Sequence, residues 1–283
     1  MGVGANYLQD SPLANNSVFQ LASQFNYLES ISADKMPVVM YPYDFTQGPQ
    51  GSIEAAAAAL WRTAAEEAGK LPHALVDVLP ERPSVDGRVY YQNGYLEPWK
   101  ASPGYDDNKQ ENQDKYLEPI YELIKARIKH LRMLPQWVKC EPSGINQLQI
   151  FSAAPAYQGN LALSKRSLMG DKICEELDSA QYEAVVKIAA IRSMVIIDIV
   201  NVHVTLLGLG SFNNPITALT KGLEKMADVV KDHPNVHVYI HCFDDGGVKT
   251  VINAQKVAAA KSPFGLGFMD AATFMAGGPK TAG

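Results

Sequence analysis

Apolar and polar residues alternate through Phe19-Gln20-Leu21-Ala22-Ser23-Gln24-Phe25, the period of a strand with one buried face. The polar cluster Asn15-Asn16-Ser17 bounds this strand upstream, and Asn26-Tyr27-Leu28-Glu29 ends it. A loop rich in proline and glycine runs from Pro42 to Pro49, after which Ser52 is placed to cap a helix through the alanine-rich segment to about Gly69. Arg88-Val89-Tyr90-Tyr91-Gln92 and Tyr95-Leu96-Glu97 flank Asn93-Gly94, a dipeptide that accepts the positive φ angles of a tight hairpin turn. From Pro98 to Asn112 the composition turns polar and predicts an exposed insertion or connecting loop. Leu117, Ile120, Ile124, Ile128 and Leu131 then recur at helical spacing.

The second half repeats the alternation. Ile145 to Phe151 reads as a strand and runs into a long loop, Ser152 to Asn160, of the kind that carries function. A helix from about Ser179 to Val200 is apolar nearly all round, as expected for one packed between a sheet and other helices. His203 to Leu207 forms a strand, Gly208-Leu209-Gly210-Ser211-Phe212-Asn213 a loop, and Pro215 starts a helix through about Lys231. Val236 to Phe243 is a further strand, parallel to the one before by the crossover rule, and Gly246-Gly247 leads to a last helix ending near Ala260. Strands alternating with helices predict an α/β class, with helices on both faces of a mixed or parallel sheet. The expected organisation is a single domain over residues 1–276, with an insertion at about 70–140 and a disordered tail from Gly277 to Gly283.

Composition narrows the function classes. Charged residues make up 19% and apolar residues 47%, so the chain can fold around its own core. A net charge of -5 gives no basic face for nucleic acid. The cysteines, Cys140, Cys174 and Cys242, are odd in number and form no C-x-x-C pair, which argues against structural zinc or a disulfide framework and for a reducing, cytosolic setting. The N-terminus lacks the basic and apolar regions of a secretory signal. The most apolar stretch, Ala189 to Val200, carries Arg192 and Asp198 and is too short to span a bilayer. Asp198 is expected to partner a nearby base, Lys165-Arg166 to sit in a solvated loop, and His203, His237 and His241 to be structural. No metal or cofactor is called for.

Gly208-x-Gly210-Ser211-Phe212-Asn213 lies between a strand and a helix. Glycines there let the backbone approach phosphate oxygens, and the unpaired N–H groups of the helix start point at the charge. The same residues also suit a turn with no ligand. A dinucleotide-binding Rossmann unit is disfavoured, because Asn213 replaces the third glycine and the next strand ends only at Asp244, late for its ribose-binding acid. Asp44-Phe45-Thr46-Gln47-Gly48-Pro49-Gln50-Gly51-Ser52 is a second glycine-bearing loop ahead of a helix. Two such loops can face each other across the carboxyl ends of one sheet.

Thr205-Leu206-Leu207-Gly208-Leu209-Gly210-Ser211-Phe212-Asn213-Asn214 resembles the second phosphate loop of macrodomains. Ala22 to Glu29, Asp44-x-Thr46-Gln47-Gly48-Pro49, and Gln147 with Ser152 to Tyr157 resemble, in order, blocks of a divergent macrodomain-like branch that includes bacterial effector enzymes removing ADP-ribose from modified proteins. The resemblance implies a three-layer α/β/α macrodomain-like fold with a mixed sheet and insertions. Its ligand would be ADP-ribose or an ADP-ribosylated protein, in the cytoplasm or, for an effector, in a host cytosol. By that resemblance Gly208, Leu209, Gly210, Ser211, Phe212 and Asn213 hold phosphate and the distal ribose, while Thr46, Gln47, Gly48, Gly51 and Ser52 form the opposite loop. The usual Asn-Ala-Asn loop and Gly-Gly-Gly run are replaced by Gln24-Phe25-Asn26 and Gln47-Gly48-Pro49.

Cleaving a glycosidic bond to ribose requires an oxocarbenium-like centre to be stabilised and water to be activated, and carboxylates serve both ends. Glu29, just past a strand end, and Asp44, opening the first glycine loop, are the catalytic candidates, with Asp245 behind them. Asn26 is placed to meet a ribose hydroxyl, Gln24 is a further ligand-binding candidate, and Tyr157 and Phe243 are placed to stack on adenine. Each also has an ordinary reading, as solvated acid, turn residue or core aromatic. The expected function is that of an ADP-ribosylhydrolase. A non-catalytic ADP-ribose reader and a scaffold protein with no nucleotide ligand are the alternatives.

Overall fold

The computed structural model describes residues 14–28, 61–62, 64–65, 68–70, 73–79, 91–92, 94–96, 110–140, 144–157, 167–210, 212–242 and 245–261. The elements that build the fold are, in chain order, β1 (Val18–Ser23), β2 (Tyr91–Gln92), β3 (Tyr95–Leu96), α1 (Gln110–Arg127), β4 (Leu134–Cys140), β5 (Ile145–Ala153), α2 (Leu168–Ile196), β6 (Val200–Thr205), α3 (Ile216–Val230), β7 (Val236–His241) and α4 (Asp245–Lys261). A five-stranded sheet has the order β4-β5-β1-β6-β7, and β2-β3 is a separate hairpin. β5, β1, β6 and β7 are parallel, and only β4 runs antiparallel, against β5. The class is therefore α/β with a mixed sheet, as the alternation of patterns predicts.

Side-chain alternation sorts the sheet into two covered faces. Val18, Leu148, Ile150, Val202, Val204, Val238 and Ile240 share one core cluster with α2, α3 and α4. Phe19, Leu21 and Phe151 belong to another, with α1 residues Leu117, Ile120 and Ile124 and the segment Ala74 to Leu79. Because both faces are covered, the central strands lack the simple polar-out pattern of a half-exposed sheet.

α3 shows how the sequence sets this packing. Its buried positions, Ala218, Leu219, Gly222, Leu223, Met226 and Ala227, form one stripe at helical spacing, and burying a leucine such as Leu223 contributes roughly 2 kcal/mol. Pro215 stands at the N-cap, where its missing N–H costs nothing. Gly222 admits the ring of Tyr182 from α2: a Cβ there would stand 2.4 Å from Tyr182 Cδ2.

Several boundaries differ from the sequence reading for identifiable reasons. β4 is an additional strand, obscured by Pro135; an edge position tolerates a residue that cannot donate to the ladder. α2 begins at Leu168 rather than near Ser179, because Ser167 caps it, its Oγ accepting from Gly170 N at 3.1 Å. It stops at Ile196, where Ile197 turns left-handed with φ 54, so the residues before Val200 form a turn and β6 begins earlier than His203. Asp198 is exposed in that turn, and its Oδ1 accepts from Ile199 N at 2.7 Å instead of pairing with a base. The hairpin forms about Asn93-Gly94, with Tyr91 opposite Leu96 and Gln92 opposite Tyr95; the outer parts of its expected arms lie outside the described residues. Gly246 and Gly247 fall inside α4. The helix expected from Ser52 lies largely outside the described residues.

Candidate functional site

The four parallel strands end along one edge of the sheet, with Ser23 beside Ala153 and Thr205 beside His241. The chain leaves β1 toward the cluster containing Phe25, Tyr27 and Leu28. It leaves β6 toward α3, in the cluster on the other face. Neighbouring strands whose connections part to opposite faces open a crevice outside their carboxyl ends, the usual ligand position in such sheets. The glycine loop after β6 stands there.

That loop is fixed from beneath by α2. The Tyr182 hydroxyl donates to Thr205 O at 2.7 Å and accepts from Leu207 N at 2.8 Å. Within the loop, Leu209 N donates to Leu206 O, Asn213 N to Gly210 O and Asn214 N to Gly208 O, at 3.3, 3.0 and 2.9 Å. The N–H groups of Gly208, Gly210 and Phe212 make no backbone hydrogen bond among the described residues. Gly208 adopts φ 72, and a Cβ on it would lie 2.3 Å from Asn214 Nδ2 and 2.8 Å from Ala154 Cβ, so glycine is required there both by conformation and by space. Gly210 is exposed with nothing near its Cβ position. Asn213 turns left-handed at φ 49, a conformation asparagine accepts more readily than other residues with a Cβ. Leu209 and Phe212 are half-buried, and the Phe212 ring meets Tyr95 of β3 edge-on, with centroids 6.2 Å apart.

The hairpin is docked over the end of β1. Phe25 N donates to Gly94 O at 2.8 Å, and a Cβ at Gly94 would stand 2.2 Å from Asn26 Oδ1. Asn26 is buried, its Oδ1 accepting from Leu28 N at 3.2 Å, which makes it a turn former in this arrangement. Gln24 Nε2 donates to the Tyr95 hydroxyl at 3.4 Å, while its buried Oε1 has no partner among the described residues. Ser23 Oγ and Thr205 Oγ1, at the ends of β1 and β6, are likewise buried without a partner among the described residues. Unpaired buried acceptors and hydroxyls are costly unless a ligand or water meets them.

Tyr157, after β5, is buried in the core cluster that holds Phe25 and Tyr27. Its hydroxyl accepts from Ser167 N at 3.0 Å and donates to Ser167 O at 3.1 Å, and its ring rests on Gly170, where a Cβ would be 2.6 Å away. Burial, then the nearby Asp171, raises its pKa. Gln181 ties α2 to the end of β5, with Nε2 donating to Ala153 O at 2.6 Å and Oε1 accepting from Ala153 N at 2.7 Å.

Asp178 of α2 is fully buried under the glycine loop, its Oδ2 accepting from Asn214 Nδ2 at 2.8 Å. Burial raises its carboxyl well above the usual carboxylate range, only partly offset by that hydrogen bond. On the opposite face of the sheet His203 stacks between Phe19 and Tyr239, and its Nδ1 lies 2.9 Å from His241 Nε2. Burial holds both imidazoles neutral, His241 with a pKa lowered to about 4.

Of the residues singled out from sequence, the structure brings Gly208, Leu209, Gly210, Phe212 and Asn213 together at the crevice, with Gln24 reaching it through Tyr95. It places Asn26 and Tyr157 in supporting positions. Glu29, Asp44, Thr46, Gln47, Gly48, Gly51, Ser52, Ser211 and Phe243 lie outside the described residues. Asp178, Asn214, Tyr182 and Tyr95 are site residues that the sequence reading did not identify as such. One signal was available for Asp178: an acid on the inward stripe between Cys174, Leu177 and Gln181. Among the described residues no helix is long and apolar enough to cross a membrane, and no group of three or more metal-ligating side chains gathers. Comparison with known proteins finds no family model that matches the chain and no curated protein that matches it.

Proposed function

We propose that the crevice at the carboxyl ends of β1 and β6 binds ADP-ribose or a like nucleotide diphosphate, and that the chain is a macrodomain-like ADP-ribosylhydrolase. One observation carries the ligand reading. The Gly208 to Asn214 loop joins a central parallel strand to a helix, and the N–H groups of Gly208, Gly210 and Phe212 have no backbone acceptor among the described residues. An anion met by such groups gains charge-assisted hydrogen bonds and the favourable end of the α3 dipole. Half-buried Phe212 supplies an apolar contact for a sugar, and Ser23, Gln24 and Thr205 supply unpaired polar atoms at the strand ends.

Hydrolysis rests on the resemblance, which brings Glu29 and Asp44 forward as carboxylates. In that reaction the bond from the anomeric carbon to the modified side chain breaks. Water adds to the same carbon, one carboxylate takes the proton from the water, and the leaving group is protonated.

Titration calorimetry with ADP-ribose tests the ligand, and release of ADP-ribose from a modified protein tests the reaction. Binding with a Kd below a millimolar supports the first claim, and absence of heat at millimolar ligand overturns both. Binding without release makes the protein a reader. Release that survives both Glu29→Gln and Asp44→Asn removes those two acids from the mechanism.

A further inference from the structure

We infer that Asp178 and Asn214 form a positioning pair that sets the glycine loop for an anion from beneath, without touching the ligand. The anion part of this inference rests on the diphosphate reading above; the clamp does not. Asn214 ties the loop twice: its backbone N–H closes on Gly208 O at 2.9 Å, and its side chain donates to Asp178 Oδ2 at 2.8 Å. It also fills the space that a side chain at Gly208 would need. The loop's two ends are therefore held to each other and to α2 by one residue.

The chemistry of the pair suits an anion site. Asp178 has no exposed surface, and Asn214 is its one hydrogen-bond partner among the described residues. Its Oδ1 has no donor, and Asn214 Oδ1 has none either. An ionised carboxylate in that setting would be a buried charge with a single hydrogen bond, which is strongly unfavourable. A carboxylic acid and a primary amide are complementary instead: the amide N–H donates to one carboxyl oxygen, and the acid O–H can donate to the amide carbonyl. The two oxygens without a partner among the described residues, Asp178 Oδ1 and Asn214 Oδ1, are the donor and acceptor that such a second bond would use. In this form the support beneath the loop is uncharged, so no negative charge opposes a phosphate on the other side.

Substitutions separate this role from simple packing. Asp178→Asn keeps the shape and a hydrogen-bonding pair, and should leave ADP-ribose affinity within about twofold of wild type. Asp178→Leu keeps the volume but strands the Asn214 amide, and should weaken binding at least tenfold. Asn214→Ala reads the same clamp from the loop side should the leucine variant not fold. A ligand-free readout runs beside these: amide hydrogen exchange across residues 206–215 should be at least tenfold faster in Asn214→Ala and unchanged in Asp178→Asn. The double variant Asp178→Asn with Asn214→Asp swaps the acid and the amide within an equally buried pair, and should keep exchange as slow as wild type and ADP-ribose affinity within about twofold. Slow exchange in Asn214→Ala, or fast exchange in Asp178→Asn, overturns the clamp. A wild-type protein that does not bind ADP-ribose, with the exchange pattern as expected, overturns the ligand reading and leaves the clamp standing. Wild-type binding together with equal affinity in the Asn214→Ala variant overturns the anion-positioning role.

Discussion

Replacing His241 with asparagine should remove much of the acid sensitivity of this fold. The two imidazoles of His203 and His241 meet at 2.9 Å in the interior, His203 being only 1% exposed and stacked between Phe19 and Tyr239. One proton bridges a neutral pair; a fully protonated pair would set N–H against N–H. In the unfolded chain an imidazole titrates near its ordinary value of 6.5, whereas folded His241 waits until about 4. Between those values the unfolded state binds more protons, so stability is full above about pH 6.5 and is lost as pH falls toward 4. At pH 5 the loss from His241 amounts to about 2 kcal/mol, since each pKa unit is worth about 1.4 kcal/mol. His203 adds to the same trend, its pKa lowered by burial and then by the charge on His241. The raised carboxyl of Asp178 works in the opposite sense, gaining stability as pH falls, but it is common to both proteins and cancels in their difference. Urea unfolding of the wild type and His241→Asn at pH 7 and pH 5 measures that difference directly. The wild type should lose about 2 kcal/mol more than the variant on acidification. Equal losses at unchanged m-values would show that the pair is not held neutral by its burial.

Three further outcomes follow from the geometry of the site. Tyr182→Phe removes the hydroxyl that donates to Thr205 O and accepts from Leu207 N; it should cost about 1–3 kcal/mol in urea unfolding and loosen the loop in hydrogen exchange. Gly222→Ala drives a methyl against the Tyr182 ring, and the overpacking should cost about 1–3 kcal/mol by the same measurement. Gly208→Ala meets both a left-handed backbone and the Asn214 amide. It should lower the thermal midpoint and abolish ADP-ribose binding, while Gly210→Ala, with open space at its Cβ position, should leave the midpoint unchanged.

What is legible in this sequence is what is encoded locally. Hydrophobic period and glycine or proline punctuation carried the positions of β1, β5, α3 and β7, and the glycine loop between β6 and α3, because backbone conformation and burial of one face follow from neighbours in sequence. β4 escaped notice because Pro135 is excluded from central strands but not from an edge, and edge or centre is a property of the sheet. The end of α2 was likewise hidden: apolar residues continue through Ile199, yet Ile191, Met194, Val195 and Ile197 are exposed and the helix stops at Ile196. The loop's glycines announced a close backbone approach, but not what approaches. Only the folded chain brings Asn214 to Asp178 across 36 positions, Gln24 to Tyr95 across 71 and His203 to His241 across 38. Sequence alone determined the α/β class and the loop's capacity for positive φ, since both arise from short-range sterics and periodic burial. Tertiary structure decided which polar groups are stripped of water and which partner each one meets, because desolvation and hydrogen bonding between distant segments exist only once the sheet has assembled.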